Sequence, residues 1–124
     1  MQNNYKNLIF LFFVLIQFQL YSQEINWMSL DEVREAQKTN PKNVLIDVYT
    51  NWCGPCKLMS PIIDELAETL EDVNVIKINV DENSEIAQSY GVRNIPCYLY
   101  LEDGEIINKA IGKKTLEDLK SMIR

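Results

Sequence analysis

The sequence predicts an α/β fold in which helices cover both faces of a central mixed β-sheet. Short apolar runs typical of strands alternate with helical patterns in the order α-β-α-β-α-β-β-α. A helical segment joins the first two predicted strands, so these two strands should be parallel. The last two predicted strands are joined by a tight-turn signal, so they should be antiparallel. A mixed sheet of this kind buries its apolar side chains only when helices pack on each face.

The first predicted helix and strand precede a pair of closely spaced cysteines. Ser29 and Glu32 have the spacing of a capping box, in which each side chain bonds to the backbone N–H of the other residue. The helical pattern ends before Asn40-Pro41, and residues 44–49 form a nearly continuous apolar run. A short run without alternation is typical of a strand that is buried on both faces.

The strongest helical signal covers residues 56–70, where apolar residues recur every three or four positions. Pro61 lies inside this helix and should bend it, because proline cannot donate the backbone hydrogen bond of that turn. The apolar face of the helix consists of Met59, Ile62, Ile63, Leu66 and Leu70.

The remaining elements complete the sheet and its helical layers. Gly91 is placed to end a helix, and Asp103-Gly104 is a hairpin-turn signal. The sequence accordingly predicts a strand over residues 73–80, a short helix over 82–90, two hairpin strands over 97–101 and 106–110, and a last helix from Thr115.

Length, charge and composition exclude several classes of protein. The 124 residues suffice for one domain. The net charge is −6 and no run of Lys or Arg occurs, so we expect no binding to nucleic acid, whose phosphates need clustered cations. The chain contains no histidine, which excludes His-ligated metals, Ser-His-Asp triads and Cys-His pairs.

Residues 1–22 have the composition of a secretory signal peptide. Lys6 gives a weakly cationic start, residues 8–20 are mostly apolar, and Ser22 is a small residue at a position where cleavage can occur. We therefore predict a signal peptide over residues 1–22 and an exported domain, periplasmic or extracellular, over residues 23–124. The alternative is an uncleaved signal anchor that tethers the protein to a membrane, although the run is shorter than the roughly 20 residues of a transmembrane helix.

The motif Cys53-Gly54-Pro55-Cys56 lies between the buried strand and the strongest helix. Two cysteines at this spacing fit a soft-metal site for Cu(I) or Zn(II), a structural disulfide, or a redox-active dithiol. The start of a helix has free N–H groups and a partial positive charge, which stabilise a thiolate at Cys53. Cys56, in the first helical turn, is placed to resolve a mixed disulfide formed by Cys53. This placement favours the redox-active dithiol over a metal site.

Asp47 lies in the predicted buried strand, six residues before Cys53. If its side chain is buried, desolvation should raise the pKa of the carboxyl group. The alternative is a carboxylate at the end of the strand that is exposed to water.

The segment from Trp52 to Lys57 reads W-C-G-P-C-K and resembles the active-site motif of the thioredoxin family, with a similarity that extends over nearly all of residues 44–123. The resemblance implies the thioredoxin fold and a protein thiol-disulfide oxidoreductase. It also implies that no cofactor is needed beyond the redox-active Cys53–Cys56 disulfide.

The same resemblance implies roles for single residues. Asp47 would accept the proton of the resolving Cys56, and the ammonium group of Lys77 would lie near that carboxylate. Pro96 would be a cis-proline that faces the disulfide. The residues implied to bind the substrate segment are Trp52, Gly54, Pro55, Ile95, Pro96 and Gly112.

Several of these residues have simpler interpretations. Lys77 could be a solvated residue on a half-exposed strand, Pro96 an ordinary trans proline of a turn, and Trp52 a packing residue. Cys97 departs from the resemblance, because the family usually has threonine after the cis-proline. Cys97 is either a small buried residue of the strand or a third thiol close to Cys53 and Cys56.

The expected function is reduction or exchange of disulfides in exported proteins. The alternatives are a thiol-based copper or zinc module and a non-catalytic binding domain with a static disulfide. Gly-Pro between the cysteines, here Gly54-Pro55, is typical of reducing family members, whereas an oxidising compartment favours disulfide formation.

We expect protein disulfides as substrates, a membrane electron donor by analogy with the family, and a monomer.

Overall fold

A computed structural model describes residues 4–19 and 27–123 of the chain, with side chains for residues 4–14 and 27–123. The elements after the first helix follow the predicted order. In chain order they are α1 (Asn4–Gln19), α2 (Leu30–Thr39), β1 (Asn43–Tyr49), α3 (Gly54–Thr69), β2 (Val73–Asn79), α4 (Ser84–Ser89), β3 (Cys97–Glu102), β4 (Glu105–Ile111) and α5 (Leu116–Met122).

The four strands form one mixed sheet in the order β2-β1-β3-β4. β1 pairs with β2 in parallel and with β3 antiparallel, so β1 is an inner strand of the sheet. β3 and β4 form the predicted antiparallel hairpin. Asp103 and Gly104 form its turn with φ angles of 50° and 81°, and these positive angles are those of the two-residue turn that suits the twist of paired strands.

Each face of the sheet carries its own layer of helices. On one face, Val33 of α2 and Ala87 of α4 pack against a buried cluster that includes Val48 and Cys97. On the other face, α3 and α5 pack on side chains from β1 and β3. The buried residues of this second cluster are Leu45, Met59, Ile63, Leu66, Tyr98, Tyr100, Leu119 and Met122. Burial of each large apolar side chain contributes about 1.5–3 kcal/mol.

The predicted capping box at the start of α2 is confirmed. The Ser29 N–H donates to Glu32 Oε2 over 2.7 Å, and the Glu32 N–H donates to Ser29 Oγ over 3.3 Å. Thr115 and Asp118 form the same arrangement at the start of α5. These side chains satisfy N–H groups that a helix start leaves without partners.

Some element boundaries differ from the prediction. α3 begins at Gly54, two positions earlier than predicted, because Cys53 caps it. α4 is shorter than the predicted residues 82–90, since the N–H groups of Glu82 and Asn83 donate to the Asn79 carbonyl and form a turn first. α3 continues through Pro61 as one helix.

The N-terminal segment is only partly described. α1 covers Asn4–Gln19, and its apolar side chains from Leu8 to Val14 are exposed. Within residues 4–19 and 27–123, none of the helices has both the length and the apolar character needed to cross a membrane. Ser22, where cleavage is predicted, lies outside the described residues.

Candidate active site

The cysteine pair and the predicted cis-proline lie at one edge of the sheet. β1 ends at Tyr49 and the chain reaches α3 at Gly54. β3 runs antiparallel to β1, with Val48 opposite Cys97. The first residue of β3 therefore lies beside the C-terminal end of β1. The topology therefore brings Pro96 to the same edge of the sheet as the loop that carries Cys53.

Cys53 and Cys56 form a disulfide whose Cα atoms are 5.2 Å apart. Cys53 is the N-cap of α3, and its Sγ atom accepts the backbone N–H of Cys56 over 3.2 Å. Pro55 occupies the first turn, where the missing N–H of proline costs no helical hydrogen bond. When the disulfide is reduced, this N–H and the helix dipole would stabilise a thiolate on Cys53, the form that attacks disulfides.

The Ile95–Pro96 peptide bond is cis, as predicted, and a trans proline at this position is therefore wrong. The Gly112 N–H donates to the Pro96 carbonyl over 2.9 Å. Gly112 has a φ angle of 85°, which favours glycine over residues with a Cβ atom. The hydrogen bond brings together two of the residues predicted to line a substrate groove, while Ile95 is half-buried beside them.

Trp52 is 71% exposed, so it is not a packing residue. Its Nε1 atom donates to Asp81 Oδ2 over 3.0 Å, which holds the indole ring beside the cysteines. No sequence motif predicts a role for Asp81. Asp81 follows β2, and because β2 is parallel to β1, the carboxyl ends of both strands meet at the same edge. Gly54 and Pro55 are exposed next to Trp52.

Asp47 lies inside β1 and is only 3% exposed, so the alternative of a water-exposed carboxylate is wrong. The pKa of Asp47 is raised to about 6, mainly by burial and to a smaller extent by the negative charge of Asp64. The positive charge of Lys77 opposes this shift in the pKa without cancelling it. A carboxyl group with such a pKa can exchange protons near neutral pH.

Lys77 lies opposite Asp47 in the β1–β2 ladder. Its Nζ atom donates to Ser60 Oγ over 3.3 Å and lies 5.1 Å from the ring centroids of both Trp27 and Tyr49. Among residues 27–123, the ion pairs are all within single helices and do not include Lys77. Other groups thus hold Lys77 near Asp47. This arrangement lies between the two interpretations of the sequence, an ammonium group beside the carboxylate and a solvated lysine on a half-exposed strand.

An open cleft of about 370 Å³ connects Asp47 with Cys56. One wall carries the ammonium group of Lys77, and α3 contributes the other wall. The cleft is lined by Asp47, Tyr49, Thr50, Asn51, Cys56, Lys57, Ser60 and Lys77. Water entering this cleft would reach both the Asp47 carboxyl group and Cys56.

Cys97 is fully buried in the cluster that packs under α2 and α4. Burial raises the pKa of the Cys97 thiol, so the neutral thiol dominates at neutral pH. This position agrees with a small buried residue of the strand. In the described part of the chain, no three Cys, Asp or Glu side chains are grouped as metal ligands.

A scan against protein-family models matches residues 25–124 to the model described as "Thioredoxin". The chain belongs to the thioredoxin family. It is 41% identical to the thioredoxin of Bacillus subtilis over 89 residues, which cover 71% of this chain and 86% of that protein. It is 38% identical to the thioredoxin of Mycoplasmoides gallisepticum over 93 residues, which cover 75% and 92% of the two chains.

Solved thioredoxin structures also match the fold. A mutant thioredoxin from Halobacterium salinarum superimposes with a TM-score of 0.68 at 37% identity, covering 78% of this chain and 84% of that one. The oxidised mitochondrial thioredoxin 3 of Saccharomyces cerevisiae gives a TM-score of 0.64 at 36% identity, with 75% and 87% covered. The thioredoxin fold predicted from the sequence is confirmed, and with its cysteine pair this family member is a thiol-disulfide oxidoreductase.

The buried carboxyl group predicts how stability depends on pH. The pKa of Asp47 is raised from 3.8 to about 6 in the fold, so the folded state favours the neutral form. The contribution of the neutral Asp47 carboxyl group to the stability of the folded state is therefore complete below pH 3.8. It is lost as the pH rises through 6. In Asp47→Asn this loss disappears, and the variant should gain about 3 kcal/mol relative to the wild type between pH 3.8 and pH 7.

Urea unfolding of the oxidised protein at several pH values measures this difference. Asp118→Asn is the matched control, because two hydrogen bonds with Thr115 lower the pKa of Asp118 and its effect on stability should have the opposite sign. A constant difference between Asp47→Asn and the wild type across this range would show that Asp47 is not buried as a neutral acid.

Proposed function

We propose that this protein reduces or exchanges disulfide bonds in exported proteins through the Cys53–Cys56 pair. The observation that carries the proposal is the hydrogen bond from the Cys56 N–H to Cys53 Sγ at the start of α3. When the disulfide is reduced, this N–H group and the helix dipole would stabilise a thiolate on Cys53, which makes Cys53 the proposed nucleophile of the pair.

The reaction proceeds in two exchanges. The Cys53 thiolate attacks one sulfur of the substrate disulfide, the substrate S–S bond breaks, and a mixed disulfide forms. Cys56 then loses its proton to Asp47 and attacks the Cys53 sulfur, which breaks the bond between Cys53 and the substrate sulfur. The substrate leaves as a dithiol after proton uptake, and the Cys53–Cys56 pair has lost two electrons.

The groove beside the disulfide would hold an extended segment of the substrate. Trp52, fixed by Asp81, offers an exposed aromatic surface on one side. Pro96 and Gly112, joined by a hydrogen bond, would form the other side, and Gly54, Pro55 and Ile95 complete the proposed groove. Backbone groups and an aromatic surface suit recognition of many sequences, since they read the peptide backbone more than its side chains.

Lys77 supports the proton transfer in this scheme. Its ammonium group favours the ionised form of Asp47 through the electrostatic interaction that lowers the pKa of that carboxyl. The contacts with Ser60, Trp27 and Tyr49 keep the charge in place without a direct ion pair. Asp47 can therefore still take up and release a proton near neutral pH.

The proposed site of action is outside the cytoplasm. The cationic start, the apolar run and Ser22 support a signal peptide over residues 1–22, and the family match begins shortly afterwards, at residue 25. Cleavage makes the net charge of the mature chain −7, because it removes Lys6 and no acidic residue. A reductase in an oxidising compartment needs a supply of electrons, for which we propose a membrane donor protein that reduces monomers of this chain.

Single cysteine substitutions separate catalysis from the two alternative functions. Cys53→Ser should reduce insulin disulfides no faster than the uncatalysed reaction, because the nucleophile is missing. Cys56→Ser should accumulate a mixed disulfide with an insulin chain, which non-reducing electrophoresis and mass spectrometry detect. Cys97→Ala is the matched control and should keep its activity, because Cys97 lies in the core.

Full insulin reduction by Cys53→Ser would contradict catalysis by this pair and would favour a static disulfide. Copper or zinc bound stoichiometrically by the reduced wild-type protein, and lost in Cys53→Ser, would favour the metal module.

The direction of electron flow is tested by the reduction potential. With Gly54-Pro55 between the cysteines we expect a value near −270 mV, typical of reducing thioredoxins. Redox titration against glutathione and dithiothreitol, with the disulfide measured by mass shift after alkylation, gives the potential. A value near −120 mV, typical of strong oxidants, would reverse the proposed direction.

Export is tested by the N-terminus of the mature protein. When the full chain is expressed with its own N-terminal segment, sequencing of the product should begin at Gln23. An intact chain from Met1 that fractionates with membranes would instead support the uncleaved anchor.

A further inference from the structure

Three buried side-chain oxygens in the described part of the chain have no hydrogen-bonding partner in the protein. They are Asp47 Oδ1, Thr50 Oγ1 and the Tyr98 hydroxyl. Buried polar atoms are normally paired, because burying one without a partner costs about 1–3 kcal/mol. These three are not scattered through the core: Thr50 follows the strand that contains Asp47, and Tyr98 lies opposite Asp47 in the sheet.

Asp47 and Tyr98 face the same side of the sheet. They are direct partners in the antiparallel β1–β3 ladder, which places their Cβ atoms about 4.5–5.5 Å apart. Leu45 and Tyr100, two positions away on each strand, both belong to the cluster under α3 and α5, as does Tyr98. Because side chains two positions apart share a face, the Asp47 carboxyl group also points toward α3.

The two groups have complementary chemistry. Tyr98 is fully buried, and burial, followed by the nearby Asp47 charge, raises the pKa of its phenol. Tyr98 therefore keeps its proton at physiological pH, and its hydroxyl can donate a hydrogen bond to a carboxylate oxygen. Asp47 Oδ1 is an acceptor without a donor, and Asp47 lines the cleft through which water can enter.

We propose that Tyr98 is a positioning residue for Asp47: its hydroxyl donates to the carboxylate through a bridging water molecule and holds it ready to accept the proton of Cys56. Thr50 lines the same cleft as Asp47, and its Oγ1 atom offers the same water a further partner; a buried water typically has about three. This inference rests on the proposed function, in which Asp47 is the proton acceptor. The bond stabilises the ionised carboxylate and so partly offsets the cost of its burial.

Other charged and titratable groups act on Asp47 and stay constant in the test. Lys77 on β2 favours its ionised form, and Asp64 on α3 disfavours it. The remaining titratable neighbours are Lys57 and Cys56 on α3, Tyr49 on β1 and Cys97 on β3.

Tyr100 provides a matched control on the same strand. Like Tyr98 it is fully buried and faces α3. Its hydroxyl, however, accepts a hydrogen bond from Asn43 Nδ2 over 2.9 Å, at the opposite end of β1 from the cysteines. Tyr100→Phe removes the same atom from the same kind of site without affecting the surroundings of Asp47.

The experiment compares Tyr98→Phe and Tyr100→Phe with the wild type. NMR titration of the ¹³C-labelled Asp47 carboxyl group in the oxidised protein should give a pKa about one unit higher in Tyr98→Phe, because the carboxylate has lost a donor. Tyr100→Phe should leave that pKa unchanged. In the reduced protein, the acid limb of the pH profile for insulin reduction should move to higher pH by the same amount in Tyr98→Phe alone.

The outcomes separate the inference from the proposed function. An unchanged Asp47 titration in Tyr98→Phe overturns the inference, as does a Tyr98→Phe protein that is more stable than the wild type at pH 8. A shifted titration with an unchanged activity profile supports the pairing of Tyr98 with Asp47 and overturns the role of Asp47 as proton acceptor.

Discussion

The junction between an inner strand and a helix start controls the chemistry of this protein. β1 is held by β2 on one side and β3 on the other, and α3 begins five residues after β1 ends. This short connection leaves Cys53 as the cap of α3, with its sulfur on the Cys56 N–H. The parallel neighbour β2 brings Asp81 to the same edge, and the antiparallel neighbour β3 brings Pro96 there. Moving β1 would separate all of these groups.

The same strand carries the electrostatic balance of the site. Asp47 is buried by the sheet and α3, and this burial raises its pKa. The positive charge of Lys77 lowers that pKa in part, without an ion pair between the two side chains. The rings of Trp27 and Tyr49 and the Ser60 hydroxyl hold the ammonium group at this distance. A direct ion pair would keep the carboxylate ionised, whereas isolation from Lys77 would keep it neutral. The intermediate arrangement suits the proton transfer that we propose for Asp47.

Much of the candidate site could be predicted from local sequence. The Cys53-Gly54-Pro55-Cys56 motif, the strand around Asp47 and the cis-proline were all identified from neighbouring residues or from the family motif. The side chains that contact Trp52 and Lys77 could not be predicted in this way. Asp81, Ser60 and Trp27 are distant from them in sequence and belong to no motif. Element ends were also missed where a side chain or a turn, such as the cap at Cys53, decides the boundary.

Local sequence was enough to predict the order of elements, the mixed sheet and a cysteine pair at a helix start, because periodicity, turn residues and helix starts act over a few neighbouring positions. The three-dimensional packing was needed to show that Tyr98 lies opposite Asp47, that Cys97 is buried on the other face, and that Lys77 donates to Ser60. These facts depend on strand register and on which face each side chain takes. Both are set by packing between distant segments, which one sequence does not reveal.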